Sequence, residues 1–296
     1  MVPFYIFYSM FGFQRIHDLA WAAGDSQARG FLIGATAGRT TLNGEGLQHQ
    51  DGHSHLMATT IPNCVSYDPT YSFELATIIR AGMSRMFENG ENVFYYITTM
   101  NENYVHPDMP EGVEEGIVKG LYPLKTSSVA GKHRVQLMSA GTIMREVEAA
   151  AVILERDYGV VADIWSMTSV NELARQGSKI VRHNMMNPGQ EPQIPYVTQC
   201  LAATEGPIIA ATDYMRAHTN QLREFMPRSF TVLGTDGFGR SDTRAQLREF
   251  FEVDRRYVVL AAMTALADEG AIKRGEVAKV MVDLGIDPTK PDPTTV

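Results

Sequence analysis

Short apolar segments alternate along the chain with segments of helical periodicity, and this alternation limits the possible folds more than any other feature. The apolar segments lie at residues 3–8, 30–36, 63–69, 92–99, 133–141, 161–170, 207–214 and 230–239. Helical patterns follow them at residues 13–23, 71–87, 145–159, 242–251, 257–267 and 276–284. Strands that are apolar throughout and alternate with helices indicate parallel sheets covered on both faces. The sequence therefore predicts an α/β protein.

Residues 101–132 interrupt this alternation with prolines, glycines and several carboxylates. Such a composition is typical of a crossing between domains. We expect a first domain at residues 1–110, a linker at residues 111–132 and a second domain at residues 133–296. The length of 296 residues fits two domains of ordinary size.

The composition excludes several classes of function. The net charge is −8 and no block of Lys and Arg occurs, so nucleic-acid binding is not expected. The longest apolar run after the N-terminus, residues 257–267, is too short to span a bilayer, so we expect no membrane association. Two cysteines far apart in the sequence suggest no disulfide framework and favour a reducing, cytoplasmic location.

A polar segment at residues 43–55, NGEGLQHQDGHSH, follows the apolar run at residues 30–36. A loop in this position lies at the carboxyl end of a strand, where open α/β sheets bind their ligands. Glu45 and His49 are four residues apart, so they share a face if the segment turns helically. A carboxylate beside an imidazole suits proton transfer near neutral pH.

Two other interpretations of this loop stay open. His53 and His55 alternate, so in an extended segment they face one side together with Asp51 and could hold zinc or iron. The segment has no HExxH motif, however, and its glycines loosen the geometry. The histidines could also be purely structural and bond to backbone carbonyls.

Two further segments are candidates for a binding site. Most aromatic residues at the N-terminus are expected in the core, but Tyr8 and Phe11 lie where the strand ends and could line a pocket, with Arg15 four residues later. Residues 234–240, GTDGFGR, match neither the dinucleotide motif nor the Walker motif. There we expect a tight turn into a helix capped by Ser241 or Asp242.

Long segments of the chain resemble one enzyme family. FYSMFGFQR, GDSQARGFLIGATAGRTTLNGEGLQHQDGHSH, IPNCVSYDP, YYITTMNENY and VLGTDGFGRSD are similar to the homodimeric-type pyruvate dehydrogenase (acetyl-transferring) component, a thiamine diphosphate-dependent decarboxylase. The resemblance implies a particular α/β fold. Most of a pyrimidine-binding domain, a parallel sheet with flanking helices, would be followed by a transketolase-type carboxy-terminal α/β domain.

The resemblance covers only the carboxy-terminal third of the family's chain. The family's diphosphate and Mg²⁺ ligands are expected in a region that precedes residue 1. Gly24-Asp25-Ser26 begins like the family's GDG motif, but its third residue is serine and Asn43 follows too early, so we expect no diphosphate site there. The chain alone is therefore expected to be inactive, as a fragment or as a split subunit that needs a separate diphosphate-binding chain.

The resemblance also implies roles for individual residues and for partners. Tyr8 matches a tyrosine that contacts the substrate adduct, Phe11 the aromatic that stacks on the aminopyrimidine, and Arg15 an active-site arginine. Glu45 and His49 match a glutamate–histidine pair used in substrate handling and acyl transfer. The implied cofactor is thiamine diphosphate with Mg²⁺. The implied partners are pyruvate, the lipoyl domain of dihydrolipoyl acetyltransferase, and a second copy of the chain in a homodimer.

Overall fold

The computed structural model describes residues 1–296 and contains two sheets, each flanked by helices. The first sheet has four strands: β1 (Phe4–Tyr8), β2 (Phe31–Ala35), β3 (Cys64–Tyr67) and β4 (Phe94–Thr98). Their order is β1-β2-β4-β3, and every neighbouring pair is parallel. The four strands predicted in the first half of the chain are therefore confirmed, as is their parallel arrangement.

The second sheet has five strands: β5 (Tyr122–Lys125), β6 (His133–Ser139), β7 (Val160–Ser166), β8 (Ile208–Ala211) and β9 (Phe230–Leu233). Their order is β5-β7-β6-β8-β9. β5 pairs antiparallel with β7, and the other pairs are parallel. β5 lies in the segment predicted to be a linker and extends the second sheet at its edge.

Eleven α-helices connect or follow the strands: α1 (Phe13–Asp25), α2 (Ser54–Thr59), α3 (Ser72–Met83), α4 (Glu114–Lys119), α5 (Met144–Tyr158), α6 (Val170–Met186), α7 (Tyr196–Ala202), α8 (Arg216–Asn220), α9 (Arg244–Phe250), α10 (Arg255–Asp268) and α11 (Arg274–Asp283). None of them combines the length and the apolar character that crossing a bilayer requires.

Local sequence explains where several helices begin and end. α5 ends at Gly159, whose φ of 64° lies in the left-handed region that favours glycine. α10 begins after Asp254, whose carboxylate accepts hydrogen bonds from the amides of Arg256 and Tyr257 at 2.9 and 3.2 Å. The prediction that Ser241 or Asp242 caps α9 is wrong. Thr243 is the cap, and its hydroxyl accepts a hydrogen bond from the Gln246 amide at 3.3 Å.

The first strand departs from the prediction of a buried sheet. Phe4, Tyr5 and Ile6 are 48%, 60% and 67% exposed, and Tyr8 is 45% exposed. The physical reason is position, since β1 lies at the edge of its sheet and has β2 as its only neighbouring strand. Most of the N-terminal aromatic residues are therefore not core residues in this chain, although Phe13 at the start of α1 is buried.

Buried carboxylates bridge the two domains. Asp213 follows β8 in the second domain, and its oxygens accept four hydrogen bonds from the first. The Thr40 amide and hydroxyl donate at 2.9 and 2.7 Å, and those of Thr41 donate at 3.2 and 2.7 Å. Because an unpaired buried carboxylate is costly, these donors make the contact between domains part of the fold.

Glu74 forms the reciprocal contact from the first domain. Its carboxylate is fully buried at the start of α3 and accepts hydrogen bonds from the hydroxyls of Tyr122 and Ser166 in the second sheet at 2.6 and 2.5 Å. The Tyr71 amide also donates to it at 3.0 Å. Burial raises the pKa of Glu74, while these donors oppose the shift.

A third bridge combines a carboxyl with two histidines. Asp68 follows β3 and accepts hydrogen bonds from the Thr98 hydroxyl at 2.5 Å and the Tyr214 hydroxyl at 3.2 Å. His55 contacts the Thr98 hydroxyl at 2.9 Å and stacks on His218 of the second domain at 5.2 Å. Burial raises the pKa of Asp68 to about 7, lowers that of His55 to about 3, and lowers that of His218.

We predict a distinctive pH dependence for Asp68→Asn. Between about pH 4 and pH 7 the folded state holds a proton on Asp68 that the unfolded chain releases, so the free energy of unfolding falls as the pH rises. This fall in the free energy of unfolding is on the order of 3 kcal/mol between about pH 4 and pH 7, and the asparagine variant should not show it. Urea unfolding of both proteins at several pH values measures the difference between them.

The comparison with wild type isolates Asp68 from the histidines. His55 and His218 act in the opposite direction, since their folded-state pKa values are lowered and they favour unfolding as the pH falls below about 6.5. Both histidines remain in the variant, so their effect cancels in the difference. Parallel curves for the two proteins from pH 4 to pH 7 would contradict the prediction.

Candidate active site

The candidate site lies at the carboxyl edge of the first sheet, where residues 36–53 leave β2 and cross to the second domain. The Ala37 amide bonds to the Thr99 carbonyl at 3.0 Å, which keeps the loop against the end of β4. The Arg39 amide then bonds to the Asp213 carbonyl at 3.2 Å. The loop is therefore held between the ends of strands from both sheets.

A tight turn brings Glu45 and His49 together. The amides of His49 and Gln50 both donate to the Gly46 carbonyl at 3.2 Å, so the segment turns without forming a helix. His49 Nδ1 lies 3.0 Å from Glu45 Oε2, an ion-pair distance whose angles are not those of a hydrogen bond. The two side chains are 21% and 44% exposed. The spacing of these residues thus predicted their contact correctly.

Aromatic side chains from the end of β1 surround the imidazole. The ring centroids of Tyr8 and Phe11 lie 5.4 and 5.1 Å from that of His49 and 5.8 Å from each other. The guanidinium of Arg15 stands over the Phe11 ring, 4.2 Å from its centroid. All five residues proposed from the sequence for catalysis and cofactor binding therefore lie in one cluster.

An open pocket of about 480 Å³ adjoins this cluster. Phe11 and Arg15 line it directly, whereas Tyr8, Glu45 and His49 stand beside it. The other lining residues are Met10, Gln14, Arg39, Leu47, Gln48, Gln50, His53, Phe238 and Gly239. A pocket of this size with aromatic and polar walls suits a small-molecule ligand.

The second domain supplies one wall of the pocket through the loop at residues 234–241. The Arg240 amide donates to the buried Gln50 side chain at 2.8 Å, and the Gly44 amide donates to the Asp242 carbonyl at 2.9 Å. The prediction of a simple turn missed this role. The glycine content of the loop was the only sign of this role in the sequence. Gly239 has no room for a side chain, because a Cβ there would lie 2.8 Å from Gln50 Oε1.

Arg39 also belongs to the site, although nothing in the sequence pointed to it. It is 6% exposed, and its guanidinium donates to the carbonyl oxygens of Thr235, at 3.0 Å, and Gly237. Its Nε has no hydrogen-bond partner in the chain. Burial lowers the pKa of Arg39, and the nearby carboxylates of Asp51 and Asp213 oppose that shift.

The metal interpretation of the loop does not agree with the structure. Asp51 accepts hydrogen bonds from the amides of His53 and Ser54 at 3.0 and 2.9 Å, which starts α2 between the two histidines. His55 is buried against Thr98, while His53 faces Gln14 at the pocket. No group of three or more His, Cys, Asp or Glu side chains in residues 1–296 is arranged to hold a metal ion.

Comparison with known proteins places the chain in a family. Residues 1–107 match the family model described as the pyruvate dehydrogenase E1 component middle domain, and residues 120–254 match the transketolase-like TK C-terminal domain. The pyruvate dehydrogenase E1 component of Pseudomonas aeruginosa is 61% identical over 294 residues, and that of Escherichia coli K12 is 56% identical over 295.

The chain corresponds to the carboxy-terminal region of pyruvate dehydrogenase E1 components, with their middle domain and a transketolase-like C-terminal domain. Each of these two alignments covers 99% of this chain and 33% of the relative, so the chain spans about a third of the length of the curated relatives it matches. The family resemblance inferred from the sequence motifs is thereby confirmed.

Solved transketolase structures share the fold of this chain. The transketolase of Campylobacter jejuni subsp. jejuni NCTC 11168 gives a TM-score of 0.68 at 17% identity, over 89% of this chain and 36% of that enzyme. A split gene transketolase, described as an inactive β4 tetramer, gives a TM-score of 0.60 at 17% identity, over 90% of this chain and 77% of that chain. At these identities the likeness concerns the fold alone.

We predict that Gln50→Ala destabilises the chain by about 2 kcal/mol, because it leaves the buried Leu42 carbonyl and the half-buried Arg240 amide without a partner. The Gln50 side chain is fully buried, donates to the Leu42 carbonyl at 2.8 Å and accepts from the Arg240 amide. Urea unfolding followed by circular dichroism measures the change. Gln48→Ala is the matched control, since Gln48 is exposed and its loss should cost less than about 0.5 kcal/mol. Equal stabilities for the two variants would contradict the prediction.

Proposed function

We propose that the chain forms part of the active site of a pyruvate dehydrogenase E1 component. The reaction is the oxidative decarboxylation of pyruvate with transfer of the acetyl group to a lipoyl arm. Pyruvate, the lipoyl disulfide and one proton give carbon dioxide and S-acetyldihydrolipoyl, so the disulfide accepts two electrons. The observation that carries the proposal is the convergence of Tyr8, Phe11 and His49 with Glu45 at one sheet edge.

The family is one of thiamine diphosphate enzymes, and the pocket fits one end of that cofactor. Phe11 offers an aromatic surface at the pocket, which suits stacking against a heteroaromatic ring. Arg15 lies against Phe11 and adds positive charge there. The bound cofactor supplies the electron sink that decarboxylation requires. We assign its diphosphate and Mg²⁺ ligands to the part of the relatives that residues 1–296 do not cover, since the chain spans about a third of their length.

The chain's own residues would bind the substrate and move protons. His49 is positioned as the acid or base, because its imidazole lies beside the pocket and the Glu45 carboxylate lies 3.0 Å from its Nδ1. The Tyr8 hydroxyl would contact the substrate. The rings of Tyr8 and Phe11 flank the imidazole and place apolar surface on two sides of it.

The partners follow from the same proposal. The acetyl group passes to the lipoyl domain of a dihydrolipoyl acetyltransferase, so the pocket must stay accessible from solvent on one side. The exposed apolar face of β1 supports burial against further polypeptide, either the rest of the protein or a second copy in a homodimer.

We predict that His49→Ala in the full-length protein lowers the rate of acetyl transfer to lipoamide by about 100-fold, which is the lower end of the range for lost acid–base catalysis. Glu45→Gln should lose less, because it keeps the shape of the side chain but not its charge. Steady-state assays with pyruvate and lipoamide measure both effects.

His183→Gln is the matched control, because His183 lies on α6 and bonds only with Asn187 and Gln193 in that region. It should retain the wild-type rate. A His49→Ala enzyme that turns over as fast as the control would remove His49 from the chemistry.

We also propose that the isolated chain is an inactive fragment, or a split subunit that needs a separate diphosphate-binding chain. The chain spans about a third of the length of the relatives it matches, which favours this view. A structure similar in fold is a split gene transketolase in an inactive form, which shows that a comparable piece can exist as a separate chain in another protein.

We predict that the isolated chain does not bind thiamine diphosphate and Mg²⁺ in the micromolar range. Isothermal titration calorimetry of the purified chain, with the full-length protein as the positive control, measures the affinity. Micromolar binding by residues 1–296 alone would show that the chain holds its own diphosphate site.

A further inference from the structure

The loop at residues 234–241 is fixed from several sides. Arg39 donates to the Thr235 and Gly237 carbonyl oxygens from the first domain, and Gln50 accepts from the Arg240 amide. On another side the Pro293 carbonyl packs so closely on Gly237 that an added Cβ would lie 2.5 Å from it. The backbone of this loop is therefore anchored to both domains and to the C-terminal segment.

Phe238 projects from the middle of this anchored loop and is 79% exposed. It is the most exposed phenylalanine of the chain, although the residues on either side of it are held in place. Its side chain adds little to the folded core. A large apolar side chain that an anchored backbone presents to solvent is typical of a surface that contacts another molecule.

Phe238 also borders the candidate active site. Phe238 lines the same pocket as Phe11. Leu47, which is 54% exposed, also lines this pocket, and its backbone lies against Gly239, the residue after Phe238. The buried polar groups of Arg39 and Gln50 line the same pocket. The pocket therefore combines polar groups that are buried with apolar side chains that reach solvent.

We propose that Phe238, with Leu47, binds the apolar arm of the acyl acceptor at the mouth of the pocket. This inference rests on the proposed function, in which the acceptor is a dithiolane ring on an alkyl chain. Such an arm must enter from solvent and offers the aliphatic surface that an aromatic side chain can cover. Phe238 is then a residue that determines affinity for the second substrate.

The test uses the full-length protein with thiamine diphosphate, Mg²⁺ and pyruvate, and compares two electron acceptors. Lipoamide carries the dithiolane and alkyl chain, whereas ferricyanide has neither. For Phe238→Ala we expect the KM for lipoamide to rise by about tenfold relative to any change in the ferricyanide assay, because apolar contact area is lost. Phe238→Leu should restore part of the affinity.

Phe87→Ala is the matched control, because Phe87 is also exposed, at 41%, but lies beyond α3 and does not line the pocket. It should leave both assays at the wild-type values. If Phe238→Ala fails to fold in urea titrations, Phe238→Leu carries the test, with an expected rise of about threefold in the KM for lipoamide.

The outcomes separate this inference from the proposed function. An unchanged KM for lipoamide, or equal losses with lipoamide and ferricyanide, overturns the role of Phe238 while leaving pyruvate oxidation intact. A wild-type protein that reduces neither acceptor with pyruvate overturns the proposed function, and this inference with it.

Discussion

Buried carboxylates that accept hydrogen bonds across the domain boundary hold this molecule together. Asp213 takes its donors from Thr40 and Thr41, and Glu74 takes two of its donors from Tyr122 and Ser166. A shift of one domain against the other that breaks these bonds without admitting water would leave a buried carboxylate unpaired, which is strongly unfavourable. The two sheets therefore keep a fixed relation, and the position of the candidate site depends on it.

The site inherits its geometry from this boundary. The loop after β2 carries Glu45 and His49, and it is fixed because it runs between the ends of the two sheets. Arg39 and Gln50 in that loop bond to backbone groups of residues 234–241. One pocket thus has walls from both domains. A shift of one domain against the other would separate the pocket walls.

Local patterns in the sequence predicted some of these features well. The apolar segments became strands, and the four-residue spacing of Glu45 and His49 became a contact because one turn spans it. The alternation of His53 and His55 predicted that they face one side of an extended segment, and this is wrong. Asp51 accepts hydrogen bonds from the amides at the start of α2, so the backbone is helical from there. The sequence pattern also failed to predict the exposure of β1, because hydropathy indicates an apolar strand but not its place at the edge of a sheet.

The sequence by itself determined the α/β class, eight of the nine strands and the family resemblance, and it named the five candidate site residues, because each follows from a local pattern or motif. Only the tertiary structure decided that Arg39 bonds to Thr235, 196 positions away along the chain, and that Phe238 borders the pocket. The physical reason is that periodicity records which face of an element is apolar. It carries no information on which distant backbone carbonyl a buried guanidinium will meet once the domains are packed together.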